Sequence, residues 1–397
     1  MQPLTVPPRN HLSSAAVAAL VVDAPAMIVG KGAELLDLNL TVLDDISTDL
    51  AAGSITRNSY AELHGSARLS LSAELDWGQA IIRPYITLSD GRTLARFNLG
   101  AYFAANDEST IGVEPTQFEV TGYDILDVLN TPVGEAYAVP KGANYLVTVE
   151  TILRDQGVTQ YMIDWTRSDA VLPSARVWEM DERTTWLTVV NGLLDAIGYA
   201  GVWSDWDGRL RAQPYVSPGA RLAEWTYDVD PATAIVAAQA TVRRDLYRAP
   251  NRWVAYRSNN VDGPAPVEGN GIYTYVNETA GPTSVQARGG RVITRPVPIE
   301  AADHLALMRA AQKVIDADMR INATVTVRTS PNPLHWHMDR IAWTDPAAGP
   351  LLGMPGGPAE LLAASWTLPL DGGDMTHEWS PVRRELRTGP ATGGSPG

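Results

Sequence analysis

The sequence predicts a mainly β protein with some α+β elements, and three observations support this fold class. Glycine (33 residues) and proline (28) are frequent and only 19% of residues are charged, which is typical of a β-rich chain with many turns. An Asp-Gly turn at Asp90-Gly91 separates two β segments, which is a strong hairpin signal. Apolar and polar residues alternate before it, and this period of two places six apolar residues on one strand face: Ala67, Leu69, Leu71, Ala73, Leu75 and Trp77.

Length and composition limit the number of domains and the available chemistry. A chain of 397 residues is too long for one ordinary core, so we expect two to four domains. Lys and Arg total 31 against 45 Asp and Glu, and the net charge of −14 disfavours sequence-independent binding of nucleic acid. Cysteine is absent, which excludes disulfides, zinc–thiolate sites and thiol nucleophiles. This composition suits a protein assembled in the cytoplasm.

Residues 1–29 are predicted to form an N-terminal arm. Pro7 and Pro8 disfavour both a helix and a central strand at its start. The apolar stretch at residues 15–22 is shorter than the roughly 18–20 apolar residues that a membrane span requires. It lacks a basic leading region and is followed by Asp23, so we expect an arm or a strand there, and no signal peptide.

Residues 30–135 are predicted to form a first barrel-like domain that is closed by a short helix. One strand is expected from residue 34 to residue 45, with an apolar face made of Leu36, Leu38, Leu40 and Val42. A hairpin joins residues 80–88 to residues 93–103. A strand at 117–120 continues through Gly122, where we expect a positive φ, into a helix at residues 125–129.

Residues 136–229 are predicted to form a small inserted α+β domain. A helix is expected from Asn144 to Gln156, ended by Gly157. A second helix is expected to be capped by Asp181 and ended by Gly198, and its apolar residues recur at helical spacing: Trp186, Leu187, Val190, Leu193, Leu194 and Ile197. Two β segments then flank the turn at Asp207-Gly208.

Residues 230–350 repeat the order of strands followed by a helix. Strands are expected at 236–243 and 252–257, and the longest helical pattern covers Glu300 to Ile321. Strands at 323–329 and 334–343 follow, so this region is predicted to be a second barrel-like domain. Residues 351–386 are predicted to form a C-terminal segment and residues 387–397 a disordered tail of low complexity.

Two histidines are the first candidate site. His335 and His337 would lie side by side on one face of the strand predicted at 334–343, with Asp339 as a third group on that face. A metal site needs three or four converging ligands, so we interpret this pair as surface or interface residues and predict no metal.

Acidic residues beside tryptophan are the second candidate. Asp205 and Asp207 flank Trp206, and Glu179, Asp181 and Glu182 form another acidic group. Paired carboxylates beside tryptophan can indicate glycoside hydrolysis. Aspartate is also favoured in Asp-Gly turns, because its side chain bonds the turn backbone, and we prefer this interpretation. The twelve tryptophans are dispersed, which favours packing and subunit interfaces over sugar stacking.

Motifs for other chemistries are missing from the sequence. There is no Gly-Lys-Ser/Thr phosphate loop, and the Asp371–Asp374 segment is too short for a calcium loop. A Gly-x-Ser-x-Gly string occurs at residues 393–397, where the strand and helix of a nucleophile elbow have no room to form. We therefore predict no catalytic residue, no cofactor and no enzyme activity.

The order of short motifs resembles the hub family of tailed bacteriophages, the minor tail proteins that join the tail tube to the tip or baseplate. The resemblance covers about residues 30–380. The glycine, alanine and proline content of the chain also resembles that of proteins from phages of actinobacteria. The segments that carry it are Phe97–Phe103, Phe118–Leu126, Leu193–Tyr199, Trp206–Leu210, Asn251–Val254, Thr329–Pro333 and Met338–Ile341.

The resemblance implies two tube-like β-barrel domains with short helices and an inserted small α+β domain. It implies a homotrimer, in which six barrels form a pseudo-sixfold ring at the tail tip of the virion, assembled in the host cytoplasm. It also implies contacts with the distal tail protein, the tail tube, the tape measure protein and other tail-tip or receptor-binding proteins. Genomic DNA would pass through the ring, and an acidic lumen would keep it from sticking.

Two alternatives stay open at this point. The chain could be a carbohydrate-binding or glycan-cleaving tail protein that uses Trp203, Trp206, Asp205 and Asp207 around one turn. It could also be a cell-surface or secretion-tip protein built on the same hub fold.

Overall fold

The computed structural model shows a mainly β protein, which confirms the predicted class. It describes residues 12, 14–22, 27–74, 81–109, 117–181, 183–230, 235–244, 249–258, 265–279, 281–321, 323–352, 354 and 357–382. Leu75, Trp77 and the tail at 387–397 lie outside these residues.

In the first part of the chain, the described residues form a helix, eight strands and a short 3₁₀ helix at Ile125–Leu129. Its elements are α1 (Ser14–Val22), β1 (Ile28–Leu36), β2 (Val42–Asp45), β3 (Leu50–Asn58), β4 (Gly65–Leu71), β5 (Ile81–Ser89), β6 (Leu94–Asn98), β7 (Tyr102–Ser109) and β8 (Phe118–Asp124). The predicted hairpin is confirmed at its turn, because β5 pairs with β6 and Gly91 has a φ of 84°. The strand predicted at 93–103 is wrong in its length, because it ends at Asn98 and β7 begins at Tyr102, with Gly100 between them at a φ of 100°.

The middle of the chain folds around two helices. Its elements are β9 (Tyr137–Val139), α2 (Tyr145–Asp155), β10 (Tyr161–Ile163), β11 (Arg176–Trp178), α3 (Trp186–Ala196), β12 (Trp203–Ser204), β13 (Leu210–Ala212) and β14 (Trp225–Tyr227). The predicted helix α2 is confirmed, with the Asn144 carboxamide oxygen accepting the N–H of Val147 and Gly157 at a φ of 77°.

The last part contains the longest helix, α4. Its elements are β15 (Val236–Arg244), β16 (Arg252–Arg257), β17 (Val267–Glu268), β18 (Gly271–Val276), β19 (Thr294–Ile299), α4 (His304–Ile321), β20 (Ala323–Thr329), β21 (Arg340–Trp343), α5 (Ala348–Leu351), β22 (Ala359–Pro369) and β23 (Met375–Pro381).

Among the described residues, fourteen strands form one continuous sheet. Its order is β15-β20-β23-β22-β3-β4-β8-β7-β5-β1-β2, with β21 attached to β22, β14 attached to β21, and β6 attached to β5. We name β1–β8 the first half-sheet and β14, β15 and β20–β23 the second half-sheet. The described pairings do not close either half into a barrel, and instead the two halves join through β3 and β22.

Within the described ranges, four apolar cores support this architecture. Each half-sheet has one, a third surrounds α2 and α3, and a fourth lies between α4 and the small sheet β17-β18-β16-β19. The α4 helix is confirmed from His304, and the Asp303 carboxylate accepts the N–H of Ala306 in its first turn. No helix of the described residues is long and apolar enough to cross a membrane.

The expected single strand from residue 34 to residue 45 is wrong. It is two antiparallel strands, β1 and β2, joined by a turn in which Leu40 has a φ of 61°. The Asp37 carboxylate accepts the N–H groups of Asn39 and Thr41 and so stabilises the turn. Local alternation misled the prediction, because it continues through the turn while Leu38 and Val42 remain exposed.

Residues 14–22 form helix α1 and not the expected arm or strand. Val17, Leu20 and Val21 are buried in the core of the first half-sheet. The alanine-rich stretch favours a helix by propensity, and burial of these three residues stabilises it.

Three further predictions need correction. Helix α3 is capped by Thr185 and not by Asp181, whose carboxylate accepts the N–H of Arg183 in the preceding turn. The strand predicted at 334–343 begins only at Arg340. Gly122 lies inside β8 and is not among the residues with positive φ. A Cβ there would approach the Tyr102 Cβ to 3.0 Å, so close packing explains this glycine.

Candidate functional site

The junction between the half-sheets is an antiparallel pairing of β3 with β22. Asn58 lies opposite Ser365, and Ser54 lies opposite Pro369. Thr56 and Thr367 face each other at its centre, with their hydroxyl oxygens 3.0 Å apart in a hydrogen bond. The junction therefore joins residues that lie 311 positions apart in the sequence.

One face of the sheet around this junction is lined with hydroxyl groups. Strand residues alternate between the two faces of the sheet, and residues that are paired on neighbouring strands lie on the same face. Rows of such paired residues run across six neighbouring strands, from β20 to β8. We name this surface the hydroxyl face, and its hydroxyl residues are Thr324, Thr326, Thr376, Ser365, Thr367, Ser54, Thr56, Ser66, Thr121 and Tyr123.

The hydroxyl face is accessible and has little net charge. These ten hydroxyl residues are exposed or half-buried, whereas the residues between them along each strand are buried. The charged residues in the same rows are two of each sign, Arg68, Arg328, Glu119 and Glu378. A surface of this kind can hydrogen-bond water or phosphate but has no net attraction for a polyanion.

The opposite face buries an ionic cluster that ties three parts of the chain together. The Arg57 guanidinium donates to the Asp124 carboxylate at 3.0 Å, and the Ser204 hydroxyl donates to the same oxygen at 2.8 Å. The guanidinium lies 4.1 Å from the ring centroid of Trp336, whose indole N–H donates to the Ser204 carbonyl. Arg57 and Asp124 belong to the first half-sheet, Ser204 to β12, and Trp336 to the turn before β21.

Sequence reasoning missed this cluster. Its members are far apart in the chain, and a lone arginine on a strand gives no signal that it is buried. The one available signal was Arg57 in a strand whose neighbours on the same face, such as Ile55, are apolar.

His335 and His337 do not share a strand face, because they lie in the turn before β21. The Nε2 atom of His335 is hydrogen-bonded to the Tyr227 hydroxyl at 2.6 Å, inside the second half-sheet core. The ring of His337 stacks on Trp203 at a centroid distance of 5.3 Å and also contacts His64 at 4.7 Å. The two imidazoles therefore belong to different clusters.

The candidate metal set is not assembled. The Asp339 carboxylate accepts the N–H of Trp336 at 2.7 Å, and it lies 3.7 Å from the Nδ1 atom of His335. The part of the chain that the structure describes contains no group of three acidic or histidine residues placed to hold a metal. Burial lowers the pKa of His64 to about 3 and also lowers the pKa of His337 well below its usual value, so both rings are neutral at pH 7.

The turn interpretation holds for Asp205, Trp206 and Asp207. The Asp205 carboxylate is fully buried, where it accepts the N–H groups of Asp207 and Arg209 and is held by the Arg211 guanidinium. Burial raises its pKa, while Arg211 opposes that shift. Trp203 and Trp206 are also buried, so this turn presents neither ring to a sugar.

The other acidic candidates named from the sequence lie apart from the clusters described above, and those that the structure describes are exposed. Glu179 and Asp181 are exposed before α3, and Glu182 lies outside the described residues. Asp371 forms an ion pair with Lys31, and Asp374 lies 3.7 Å from Arg328. The string at 393–397 lies outside the described residues.

A cleft of about 400 Å³ separates α3 from α4 and β19. Two ion pairs cross it, with Arg176 Nη2 at 3.0 Å from Glu300 Oε2 and Lys313 Nζ at 2.6 Å from Asp195 Oδ1. These pairs join the middle of the chain to α4, so we interpret the cleft as a seam between two packed units.

Known proteins with the same fold include two tail proteins. The chain is similar to the tail protein from Neisseria meningitidis MC58, with a TM-score of 0.58, 11% identity and coverage of 88% of this chain and 96% of that one. It is also similar to the 43 kDa tail protein of prophage MuSo2 from Shewanella oneidensis, with a TM-score of 0.56, 11% identity and coverage of 90% and 99%.

The same fold occurs within a larger chain of the lidless PdpA-VgrG complex. The TM-score is 0.51 and the identity 9%, with coverage of 90% of this chain and 65% of that one. No family model and no curated protein matches the sequence.

Proposed function

We propose that this chain is a structural hub subunit of a bacteriophage tail tip. The observation that carries the proposal is the length of the fold match with the MuSo2 tail protein. The match covers 90% of this chain and 99% of that protein. Their masses also agree, at 42.8 kDa for this chain against 43 kDa. The fold match therefore extends over nearly the full length of that tail protein.

The proposed assembly is a homotrimeric ring. Each chain supplies two half-sheets joined edge to edge, so three copies supply six half-sheets, which is the number a hexameric tube requires. In this arrangement each half-sheet is one tube-like wall segment, and closure of the walls comes from neighbouring copies. Closed rings are the usual outcome when one contact is repeated by rotation.

The hydroxyl face supports a role as the wall of a DNA channel. Apolar cores cover the other face of the sheet, whereas the ten hydroxyl residues named on this face are exposed or half-buried. Hydroxyls solvate a passing duplex, but they provide no array of cations that would hold its phosphates. We therefore propose a wall with little net charge in place of the acidic lumen expected from the sequence, because this face carries two glutamates and two arginines.

The partners and location follow from this role. We propose contacts with the distal tail protein, the tail tube, the tape measure protein and other tip or receptor-binding proteins. The subunit would assemble in the host cytoplasm and remain in the virion at the tail tip.

A related candidate function is a subunit of a secretion spike. The similarity to a chain of the PdpA-VgrG complex favours it, although this chain covers only 65% of that protein. Immunogold labelling with an antibody against the chain would separate the two, because label at the tail tip of phage particles supports the virion role. Label only on cell-associated injection structures would support the spike.

Native mass spectrometry and negative-stain imaging of the purified full-length chain test the proposed ring. We expect a mass of three copies and a ring with a central hole. A compact monomer at every concentration would contradict the ring.

A further inference from the structure

We propose that the β2 end of the sheet docks head to tail on the β15 end of a second copy of this chain. The inference rests on the proposed ring and specifies the two surfaces that close it. These strands are the two ends of the strand order, and no described strand pairs with the outer edge of either.

The β2 end combines exposed apolar residues with acidic ones. Leu43 is 58% exposed, and Leu38 and Val42 beside it are similarly accessible. Asp44 and Asp45 end the strand, and both are exposed. Large aliphatic side chains rarely cluster on an open edge without a partner, so this end has the composition of an interface.

The backbone of β2 is not suited to extended strand addition. The strand has only four residues, and the Asp44 carboxylate accepts the N–H of Asp45 at 2.8 Å. A short edge strand whose backbone N–H donors are already hydrogen-bonded pairs poorly with strands of other chains. Recognition at this end therefore depends on side-chain shape and charge.

The β15 end has the complementary composition. Arg243 and Arg244 end the strand and are exposed. The Arg244 guanidinium donates to the carbonyl of Leu351 at 3.1 Å, and the Leu351 side chain is 45% exposed beside it. Neither arginine forms an ion pair with another described residue. This basic, partly apolar end is distinctive in a chain with a net charge of −14.

Charge selects the head-to-tail arrangement over a two-fold one. A contact between two β2 ends would bring four carboxylates together, and a contact between two β15 ends would bring four guanidinium groups together. The mixed contact pairs Asp44 and Asp45 with Arg243 and Arg244. Like-charge contacts suppress the wrong arrangement, and a repeated head-to-tail contact generates a ring when the rotation closes.

A charge swap in the full-length chain tests the contact. The double variant Asp44→Lys/Asp45→Lys and the double variant Arg243→Glu/Arg244→Glu should each raise the dissociation constant of the trimer about tenfold or more. The quadruple variant should recover association to within about threefold of the native chain.

Analytical ultracentrifugation over a dilution series measures these changes. The matched control is Glu179→Lys/Asp181→Lys, which reverses two exposed carboxylates away from either edge and should leave association unchanged. A quadruple variant that stays dissociated, or double variants that associate like the native chain, would overturn the proposal.

Cysteine pairs give an independent test, because the native chain contains no cysteine. Leu43→Cys combined with a cysteine at Gln239, Ala240 or Thr241 should yield disulfide-linked dimers and trimers on oxidation in at least one pair. Each single-cysteine variant should remain unlinked. Linkage of Leu43→Cys alone would show a two-fold contact and would overturn the proposal.

The outcomes separate this inference from the proposed ring. A trimer by native mass that forms no linkage in any of the three pairs contradicts the contact and leaves the ring intact. A chain that is monomeric throughout the dilution series contradicts both.

Discussion

The two faces of the central sheet are made by alternate residues of the same strands and have opposite properties. Along β22, Trp366 is buried in the first half-sheet core, whereas its neighbour Thr367 lies on the hydroxyl face. Along β3, Arg57 is buried in the ionic cluster, whereas Thr56 is accessible. One face holds the halves of the molecule together, and the other is free for contact with what lies beyond it.

The largest difference between the faces should appear at β22. Trp366→Ala removes a buried indole at the junction and should lower the free energy of unfolding by about 3–5 kcal/mol. Thr367→Ala, one residue further on, loses the hydrogen bond to Thr56 and should cost about 0.5–1.5 kcal/mol. Urea unfolding followed by tryptophan fluorescence and circular dichroism would measure both. Equal losses of stability would show that the buried and accessible faces of β22 do not differ in their contribution to folding.

The ionic cluster should show the second largest effect. Arg57→Ala leaves the buried carboxylate of Asp124 without its cation and should destabilise the fold by about 3 kcal/mol. The matched control is Arg68→Ala, an exposed arginine on the hydroxyl face of the adjacent strand β4, with an expected change within about 0.5 kcal/mol. Thermal unfolding of the two variants is the measurement, and a stable Arg57→Ala protein would contradict the structural role of the cluster.

Gly122→Val tests how closely the buried face is packed. Its Cβ would lie 3.0 Å from the Tyr102 Cβ and 3.1 Å from the Phe103 carbonyl oxygen, so we expect a loss of about 1–3 kcal/mol. Thr121→Val, the preceding residue on the hydroxyl face, should change stability by less than about 0.5 kcal/mol. Calorimetry would compare the two, and an unaffected Gly122→Val protein would show that β7 and β8 can separate without cost.

Buried histidines should make the sheet acid-sensitive. Desolvation lowers the pKa of His64, His337 and His377 in the folded state, with His64 at about 3. In the unfolded chain each histidine binds a proton near the ordinary pKa of 6.5. The free energy of unfolding therefore keeps its full value above pH 6.5 and decreases as the pH falls below it. Each ring should contribute up to about 1.4 kcal/mol per pH unit.

Urea unfolding between pH 7 and pH 5 measures this slope. His337→Phe preserves the ring that stacks on Trp203 but cannot titrate, and it should reduce the slope by about one proton. An unchanged slope in this variant would show that His337 does not contribute.

The smallest effect is expected on the hydroxyl face itself. Thr326→Val and Thr376→Val change accessible hydroxyls that face solvent, and each should alter the free energy of unfolding by less than about 0.5 kcal/mol. Thermal melts would check this. A large loss in either variant would show that the face has a structural role and would weaken its assignment as a channel wall.

Local patterns predicted the elements that depend on local signals. The β5–β6 hairpin follows from Asp90-Gly91, and α2 follows from Asn144 at its start and Gly157 at its end. The β1–β2 turn was missed because the alternation of leucines continues through Leu40. The interpretation of His335 as a surface residue was wrong, because a strand was assumed where the structure has a turn that buries His335 against Tyr227.

The features that define the candidate site depend on contacts that no local window contains. Thr56 meets Thr367, and Arg57 meets Trp336, only because β3 pairs with β22. The sequence contains a local signal of the hydroxyl face, since hydroxyl residues alternate with other residues in two strands. The pairs are Ser54 with Thr56 and Thr324 with Thr326. Each pair by itself is typical of an ordinary strand with one solvent-facing side. Only the pairing register of the strands shows that the pairs form one surface.

The most direct test of the account is an electron cryomicroscopy map of the assembled full-length chain at a resolution that separates strands. We expect a three-copy ring in which the hydroxyl face, centred on Thr56 and Thr367, borders the central hole. A ring in which this face lies on the outside, or is buried between copies, would contradict it.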